Sequence, residues 1–386
     1  MSHFALSPQN HQCDKLSLPE RAASLHNNQP ICLCPRREIS LHVTAEHDDE
    51  VFMRAALLEA RRGLGLTSPN PAVGAVLVID GKIVAKGHHK RAGWPHAEIE
   101  CLRSFKKPVP KSAVLYVTFE PCSTTGRTGP CTDAIIEAGV RRLVIGATDP
   151  NPRHARRGVA LLQKAGLDVR AGVLAKECSS LNEAFNKWIQ TRRPFVIAKC
   201  GMSLDGRLSP PPRETQWITS TASRRHAQQL RAQVDAILIG AGTLRADDPR
   251  LTVRLGGAKQ PWRIVLSRSG ALPRRARLFT DRFAARTIVH GEKNLDVVLR
   301  ELGEKEITSV LIEGGGEILG QALDQRLVDK VQLYLGPILT GGPVVAFPGI
   351  GAASTEQAPR LDRVRYERIG QDVCIIGYPT YDCCVE

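Results

Sequence analysis

The feature that most restricts the fold of this chain is a set of four chemically matched side chains in a fixed order. An imidazole and a carboxylate stand in His96-Ala97-Glu98, one thiol follows in Pro121-Cys122, and a second thiol is Cys131. An imidazole and two thiolates can hold Zn²⁺ tetrahedrally and leave a fourth position for water. Because these donors are far apart in the sequence, a fold that uses them must bring three segments to one point.

The combination is typical of zinc-dependent base deaminases, which carry His-x-Glu followed by Pro-Cys and a further Cys. His96, Cys122 and Cys131 are therefore the predicted metal ligands. Zn²⁺ held there would lower the pKa of bound water toward neutrality. Glu98 is spaced to lie beside the metal without binding it, and is the predicted catalytic residue that moves protons between water and an exocyclic amine.

A closed structural zinc site, or simple burial of the thiols, is the alternative interpretation. A structural site normally has four protein ligands. The neighbouring candidates fit poorly, because His88 and His89 lie on a polar stretch and are expected to be solvated or to face substrate. Cys101 falls where a helix after Glu98 would bury it. An open catalytic site is the better interpretation.

The spacing of the two cysteines departs from the general pattern. The usual signature separates them by two residues, whereas the eight residues Ser123–Pro130 lie between Cys122 and Cys131. Ser, Thr, Gly and Pro dominate this insertion, which is typical of a loop. We expect the loop to cover the mouth of the site and to help select substrate, with Arg127 as its single charge.

Composition limits the class of protein. The chain has 386 residues, enough for two domains, and no apolar run approaches the ~20 residues of a membrane span. The net charge is +14, but the basic residues form short scattered pairs, so we expect anionic small substrates and neither nucleic acid nor a membrane as partner. The 11 cysteines are odd in number and irregularly spaced, which favours a reducing, cytoplasmic location.

Three segments are predicted along the chain. Residues 1–47 show no sustained periodicity and are expected to be a disordered extension, although Cys32-Leu-Cys34 is an alternative metal-binding sequence. They resemble neither a secretory signal nor a transit peptide. Residues 48–192 and 193–386 are predicted as two domains, with the boundary at Arg192-Arg193-Pro194.

The first domain is predicted to begin with a helix that Asp48-Asp49 caps and Gly63 ends. Asp80-Gly81 between two apolar runs predicts a β-hairpin. His96 and Cys131 each stand at the start of a predicted helix, so that two helix N-termini point at the metal and favour negative charge there. Strand–helix repeats follow the hairpin, which predicts a mixed sheet with helices on both faces.

Other polar residues are candidates for binding substrate. Asp149 and Asn151 follow a predicted strand, at the carboxyl edge where α/β sheets bind ligands. Asn70 stands between two prolines at the entry to the first strand. Ordinary turn chemistry explains all three residues almost as well.

A glycine run marks the second domain. The predicted strand Ile307–Ile312 leads into Glu313-Gly-Gly-Gly-Glu317, and a helix is expected to begin near Glu317. A glycine run before a helix N-terminus lets backbone N–H groups approach a phosphate closely. The run lacks the G-x-G-x-x-G fingerprint, so it is not a Rossmann site, and alone it is equally consistent with a flexible turn.

The run from Glu120 to Cys131 resembles the deaminase half of the bifunctional riboflavin-biosynthesis enzymes. Runs in the second half, such as Asp247–Arg254 and Glu313–Glu317, are similar to their reductase half. The resemblance extends from residue 48 nearly to the C-terminus. It implies an α/β protein with an N-terminal cytidine-deaminase-like three-layer domain, a C-terminal dihydrofolate-reductase-like domain, and a homo-oligomeric assembly.

The resemblance also implies two consecutive reactions that use Zn²⁺ and NADPH. The first would deaminate 2,5-diamino-6-(5-phosphoribosylamino)pyrimidin-4-one to 5-amino-6-(5-phosphoribosylamino)uracil. The second would reduce the ribosyl side chain to give 5-amino-6-(5-phosphoribitylamino)uracil. The rival hypotheses are a nucleic-acid base deaminase, which would have a short cysteine loop and no cofactor domain, and a zinc-stabilised binding module.

By position, the resemblance assigns roles in the reductase half. Lys199 would be catalytic, since a cation can stabilise or protonate the oxygen that gains charge during hydride transfer. In the first domain, Asn70 would face the pyrimidine. Residues implied to line the reductase substrate are Thr215, Arg231, Leu251, Arg254 and Glu313. Residues implied to contact the cofactor are Gly201, Trp217, Thr243, Asp247, Ser267, Gly315, Gly316, Glu317, Ile318, Leu319, Gly320 and Gln321.

The chain departs from the family pattern at two turns. Thr124 and Thr125 stand where many members have His, so any contacts there must come from hydroxyls. Ser267-Arg268 follows the predicted strand Arg263–Leu266 where many members have Asp-Ser. If that turn touches the adenosine phosphate, Arg268 would strengthen the preference for NADPH.

Overall fold

The computed structural model describes residues 45–124, 129–152, 154–208, 217–291 and 294–381. Most of the predicted N-terminal extension therefore lies outside the described residues, as do the site candidates Arg127 and Thr215 and the loop residue Thr125. Within the described part of the chain, no helix is long and apolar enough to cross a membrane.

The amino-terminal half is built on a 5-stranded mixed sheet with the strand order β2-β1-β3-β4-β5. Its strands β1 to β5 are Gly74–Ile79, Lys82–His88, Val114–Phe119, Arg142–Ala147 and Asp168–Ala171. Its helices α1 to α6 are Ala45–Arg61, Ala97–Ser104, Cys131–Glu137, Arg157–Lys164, Ala175–Leu181 and Glu183–Thr191. The first strand is antiparallel to its two neighbours, whereas β3, β4 and β5 run parallel.

Two glycines show that helices cover opposite faces of this sheet. A Cβ on Gly74 would lie 2.1 Å from the Ala56 carbonyl oxygen of α1, and a Cβ on Gly87 would lie 2.3 Å from the Cys101 nitrogen of α2. Gly87 pairs with Ala75, the residue that follows Gly74. Because successive strand residues point to opposite faces, α1 and α2 lie on opposite sides of the sheet. The predicted three-layer arrangement is confirmed.

The first helix does not begin at the predicted cap. Asp48 and Asp49 lie inside α1, so the prediction that they cap it is wrong. Asp49 is 2% exposed and accepts hydrogen bonds from the Tyr116 hydroxyl at 2.7 Å and from Arg170 Nη1 at 2.8 Å. Its carboxylate therefore ties α1 to the sheet. The apolar face of α1, which includes Met53 and Ala56, is buried.

The carboxy-terminal half is built on an 8-stranded sheet with the order β12-β13-β11-β6-β10-β7-β8-β9. Its strands β6 to β13 are Phe195–Ser203, Ala236–Gly240, Trp262–Leu266, Thr287–His290, Ser309–Ile312, Lys330–Gly336, Arg360–Ile369 and Asp372–Thr380. Its helices α7 to α11 are Thr221–Gln233, Ala241–Asp247, Arg277–Thr280, Leu295–Glu304 and Gly316–Asp324. Six neighbouring strands are parallel, and β12 and β13 extend the sheet in antiparallel fashion.

The two halves meet through close, specific contacts. The Trp188 indole nitrogen in α6 donates to the Gly303 carbonyl at 2.8 Å in α10, and the Lys187 ammonium donates to Asp329. A Cβ on Gly65 would lie 1.9 Å from the Ala232 carbonyl oxygen, so the backbones touch there. These contacts hold the first sheet and its helices firmly against the second.

Candidate active site

The three predicted metal ligands converge on one point. His96 precedes α2, Cys122 lies in the turn after β3, and Cys131 is the first residue of α3. His96 Nδ1 lies 3.2 Å from Cys131 Sγ and 3.5 Å from Cys122 Sγ. All three ligand atoms lie within 4.8 Å of one another.

This spacing fits a tetrahedral zinc ion. Zn–N distances of roughly 2.0–2.1 Å and Zn–S distances of about 2.3 Å place nitrogen and sulfur about 3.5 Å apart around a tetrahedral centre. The His96 and Cys122 donors match that separation, and Cys131 is close to it. Three protein ligands of this kind form an open site, with the fourth position left for water or substrate.

The electrostatics of the cluster favour a thiolate. A hydrogen bond with Cys131 lowers the pKa of Cys122 to about 4, and the hydrogen bond with His96 adds to that effect. The Cys122 side chain in turn raises the pKa of His96. Both helix N-termini point at the cluster, where their dipoles stabilise negative charge.

Glu98 lies in the first turn of α2 and outside the ligand set. It is 3% exposed, and burial raises its pKa to about 7. A carboxyl group with a pKa near neutrality can both accept and release a proton, as an acid–base catalyst must. The position of Glu98 in this first turn agrees with the sequence-based expectation.

His89 is not solvated, and that alternative of the sequence analysis is wrong. It is 2% exposed, and its ring packs edge-on against His96 with the centroids 5.1 Å apart. Nδ1 lies 3.1 Å from the Pro95 carbonyl oxygen and therefore carries the proton, so Nε2 accepts from the Asn70 amide at 3.2 Å. Burial lowers the pKa of His89, which keeps the ring neutral. Asn70 is thus held at the wall of the site.

A cavity of ≈ 380 Å³ opens over the metal ligands. Its floor includes His96 and Glu98, and the predicted substrate residues Asn70, Asp149 and Asn151 all line it. Its apolar wall is formed by Phe119, Phe185 and Trp188. Flat apolar walls beside a few convergent polar groups suit an aromatic heterocycle. The sequence analysis gave a role to none of these three aromatic residues, which lie in β3 and α6.

Glu120 is a site residue to which the sequence analysis gave no role. It is 7% exposed and accepts hydrogen bonds from the backbone N–H groups of Asp149 at 3.0 Å, Arg156 at 3.1 Å and Gly158 at 3.0 Å. The carboxylate therefore fixes the loop after β4 against the Pro121 turn. The sequence signal that could have identified Glu120 is its position, as a charged residue directly after a buried strand.

The predicted reductase residues gather at the carboxyl edge of the second sheet. Ile312 pairs with Ala198, so Glu313 and Lys199 come next to each other along β10 and β6. Arg231 in α7 donates from Nε to Glu313 Oε1 at 2.8 Å and from Nη2 to Oε2. Burial alone would raise the pKa of Glu313, but the charges of Arg231 and Lys199 outweigh it and lower the pKa.

The other implied substrate residues lie near this ion pair or at the surface. Arg231 also donates to the Thr252 carbonyl at 3.3 Å, next to Leu251, which is 3% exposed and has a φ of 49°. The Arg254 side chain is exposed, and its backbone N–H donates to Gln228. Arg231 is therefore paired with Glu313, and Arg254 is the more accessible guanidinium.

The glycine run forms the turn that the sequence predicts. Gly314 and Gly315 have φ values of 151° and 75°, and α11 begins at Gly316. A Cβ on either residue would lie 3.1 Å from Thr243 in α8, another implied cofactor residue. Side chains would fill this cradle, whereas glycine leaves backbone N–H groups accessible to an anion. The geometry fits the phosphates of a dinucleotide.

The remaining implied cofactor residues differ in exposure. Glu317 and Asp247 are exposed, Gln321 and Gly201 are half-buried, and Trp217 is 73% exposed. Ile318, Leu319 and Gly320 are buried, and a Cβ on Gly320 would lie 1.6 Å from the Pro348 carbonyl oxygen. Ser267 is 3% exposed, so its hydroxyl faces inward from the end of β8. Packing explains these four buried residues as well as cofactor contact does.

The fold and the two sites together define a class of protein. A hydrolytic zinc-type deaminase centre lies beside the first sheet, and an anion cradle with an adjacent Lys, Arg and Glu lies at the edge of the second. The chain is thus a bifunctional enzyme, with a deaminase half and a reductase half.

Comparison with known proteins agrees with this class. The family model of the cytidine and deoxycytidylate deaminase zinc-binding region matches residues 46–147, and that of the RibD C-terminal domain matches residues 194–375. The riboflavin biosynthesis protein RibD of Escherichia coli is 39% identical over 363 residues, which cover 85% of this chain and 98% of the relative. That of Actinobacillus pleuropneumoniae is 37% identical, covering 84% of this chain and 93% of the relative.

Solved structures agree as well. Acinetobacter baumannii RibD superposes with a TM-score of 0.80 at 34% identity, covering 87% of this chain and 99% of that one. A diaminohydroxyphosphoribosylaminopyrimidine deaminase/5-amino-6-(5-phosphoribosylamino)uracil reductase from Thermotoga maritima gives a TM-score of 0.80 at 33% identity, covering 87% and 100%. The chain belongs to the RibD family of riboflavin biosynthesis.

Proposed function

We propose that the chain catalyses two consecutive steps of riboflavin biosynthesis. The first hydrolyses 2,5-diamino-6-(5-phosphoribosylamino)pyrimidin-4-one to 5-amino-6-(5-phosphoribosylamino)uracil and ammonia. The second reduces the ribosyl side chain to the ribityl side chain with NADPH. The observation that carries the proposal is the convergence of His96, Cys122 and Cys131 at one point. Of these, His96 and Cys122 line the cavity together with buried Glu98.

In the deamination, Glu98 is the residue that moves protons. When Zn²⁺ is held by His96, Cys122 and Cys131, it supplies Lewis acidity, which lowers the pKa of water at the open position. Glu98 takes a proton from the attacking water and gives it to the exocyclic nitrogen, so that the C–N bond breaks and ammonia leaves. Its pKa of about 7 suits both transfers. Asn70, held by the neutral His89, orients the pyrimidine ring.

In the reduction, the open-chain aldehyde of the sugar is the acceptor. NADPH, when bound, would supply the hydride, and the Gly314–Gly315 backbone at the start of α11 would hold its phosphates. Lys199 lies where it can stabilise and protonate the oxygen that gains charge as the carbon receives hydride. The carboxylate of Glu313 lies beside Lys199, and its ion pair with Arg231 keeps Glu313 in place.

The remaining assignments follow from the same proposal. We assign residues 48–192 to the deaminase domain and residues 193–386 to the reductase domain, and the two family-model matches on either side of that boundary support this division. The substrate is a phosphorylated pyrimidine, and we expect a homo-oligomer that binds neither nucleic acid nor membranes. The six described cysteines are all free, which supports a reducing cytoplasm.

The test uses the purified, zinc-loaded full chain. The diaminopyrimidine ribosyl phosphate is added first, and ammonia release is measured. NADPH is then added, and loss of its absorbance is followed. Stoichiometric ammonia followed by NADPH oxidation that depends on prior deamination is the expected result. Ammonia release from cytidine or from tRNA, and none from this substrate, would contradict the assignment.

A further inference from the structure

One residue of the deamination cavity comes from the other half of the chain. Glu306 lines the cavity together with His96, Glu98 and Trp188. It lies between α10 and β10, within the segment that matches the reductase family model. The lining of the cavity over the metal ligands therefore includes an acidic residue that the deaminase half does not contain.

The backbone at Glu306 has a conformation that L-residues rarely adopt. Its φ is 59°, and its N–H donates to the Gly303 carbonyl at 3.1 Å, while the Ile307 N–H donates to the Leu302 carbonyl at 3.1 Å. These two bonds form the Schellman motif that ends α10, and Glu306 occupies the left-handed position where glycine is preferred. A glutamate in that position strains the backbone, and such strain clusters at functional sites.

The turn that presents Glu306 is locked to the deaminase half. The Gly303 carbonyl that accepts from Glu306 also accepts from the Trp188 indole at 2.8 Å. A Cβ on Gly303 would lie 2.0 Å from the Arg192 carbonyl oxygen, so the turn and the end of α6 are in backbone contact. Trp188 lines the cavity beside Glu306. The backbone that carries Glu306 is thus held at a fixed place beside the cavity.

Burial indicates which end of the cavity Glu306 occupies. Glu98 is 3% exposed and lies at the floor, whereas Glu306 is exposed and lies at the mouth. The amino group that is removed must reach Glu98, so the ring lies at the floor and the phosphoribosylamino arm extends toward the mouth. A carboxylate there repels phosphate but is a strong acceptor for sugar hydroxyl groups.

We propose that Glu306 is a substrate-binding residue of the deamination site, which accepts hydrogen bonds from the ribose hydroxyls of the arm. The inference rests on the proposed function and adds a residue from the reductase half to the first reaction. The deamination site is thereby specific for a pyrimidine that carries the sugar arm, and the free base gains nothing from Glu306.

Steady-state deamination by the full-length chain tests this role. Glu306→Ala is expected to raise the KM for the ribosyl phosphate substrate about tenfold with little change in kcat, because the contact is made equally in the ground and transition states. Glu306→Gln keeps an acceptor oxygen and should recover part of the loss. Glu304→Ala removes the same charge from the same turn, but Glu304 is not among the residues that line the cavity, and its KM should equal that of the wild type.

Two further measurements separate binding from a structural effect. The free triaminopyrimidinone base, which lacks the arm, should inhibit the wild type and Glu306→Ala with equal Ki. Glu306→Gly should raise the melting temperature, since glycine relieves the left-handed backbone, and yet raise KM. An unchanged or lower KM in Glu306→Ala, or a Ki for the base that rises in parallel with KM, would overturn the proposal. If the wild type releases no ammonia, the proposed function fails instead.

Discussion

The Ser68 hydroxyl donates a hydrogen bond of 2.6 Å to the Asp235 carboxylate, across 167 positions of sequence. Asp235 precedes β7 in the second sheet, and Ser68 leads directly into Pro69 and Asn70 at the wall of the deamination cavity. The same Asp235 oxygen also accepts from the Thr308 N–H at 2.9 Å and the Thr308 hydroxyl at 2.8 Å. The second sheet thus supports the segment that holds Asn70.

Asp235→Ala should destabilise the protein and disturb deamination. The carboxylate is 4% exposed and satisfies several donors, so its removal is expected to cost about 3 kcal/mol. The measurement is chemical denaturation followed by circular dichroism, together with the kinetics of ammonia release. The exposed Glu356→Ala, which removes a charge from a surface loop, is the control and should change the free energy of unfolding by less than about 0.5 kcal/mol. Equal stability of the two variants would show that the Asp235 contacts contribute nothing.

Glu98→Gln should abolish ammonia release and leave zinc content unchanged. The amide is isosteric but cannot shuttle protons, so kcat is expected to fall at least about a hundredfold. Metal analysis of the purified variant should still give one zinc per chain, because Glu98 lies outside the ligand set. NADPH oxidation with the deaminated intermediate should match that of the wild type. Persistent ammonia release would remove Glu98 from the mechanism.

Lys199→Ala should impair the reduction and leave the deamination intact. Without the ammonium, the oxygen that gains charge during reduction has lost its cationic neighbour, and we expect NADPH oxidation to fall by about two to three orders of magnitude. Ammonia release should persist, since Lys199 lies in β6 and does not line the deamination cavity. Lys187→Ala, which removes a lysine from the joint between the halves, is a useful comparison for effects on folding. Loss of both activities in a folded Lys199→Ala protein would contradict the separate placement of the two sites.

Glu120→Ala should weaken deamination because it displaces neighbouring residues at the cavity wall. It leaves the backbone N–H groups of Asp149, Arg156 and Gly158 without their charged acceptor, which is expected to cost about 3 kcal/mol of stability. The kinetic expectation is a raised KM for the ribosyl phosphate substrate, because Asp149 and Asn151 are displaced at the cavity wall. Glu177→Ala in α5 is the exposed control. Wild-type stability in Glu120→Ala would show that the three hydrogen bonds are dispensable.

Local chemistry explains what the sequence could predict. Asp80 and Gly81 have φ values of 48° and 71°, as the predicted two-residue hairpin requires. The starts of α2 and α3 follow from Pro95-His96 and Pro130-Cys131, and these starts carry the metal ligands. Ligand spacing and helix position are both local properties, so the metal centre could be predicted from the sequence alone.

Contacts between distant residues explain what it could not predict. The sequence around Asp49 is typical of a helix cap. Only the tertiary structure shows that Asp49 is buried and accepts hydrogen bonds from Tyr116 and Arg170. His89 stands in a polar stretch, yet the fold buries it against His96. Glu306 follows a helix in the other half, and nothing in its local sequence connects it with a site formed around His96. Each case needs the tertiary partner, which no local pattern contains.

The hydrogen bond between Trp188 and Gly303 has a consequence for splitting such a chain into two polypeptides. A chain break within Arg192-Arg193-Pro194 would remove the covalent link between the two halves. The Trp188 indole N–H would still need the Gly303 carbonyl of the other half as its hydrogen-bond acceptor. An amino-terminal fragment on its own would expose that indole to solvent, and its cavity would lack Glu306 at the mouth. Fission of the gene at this point would therefore yield two polypeptides that must reassociate before the first of them can work at full efficiency.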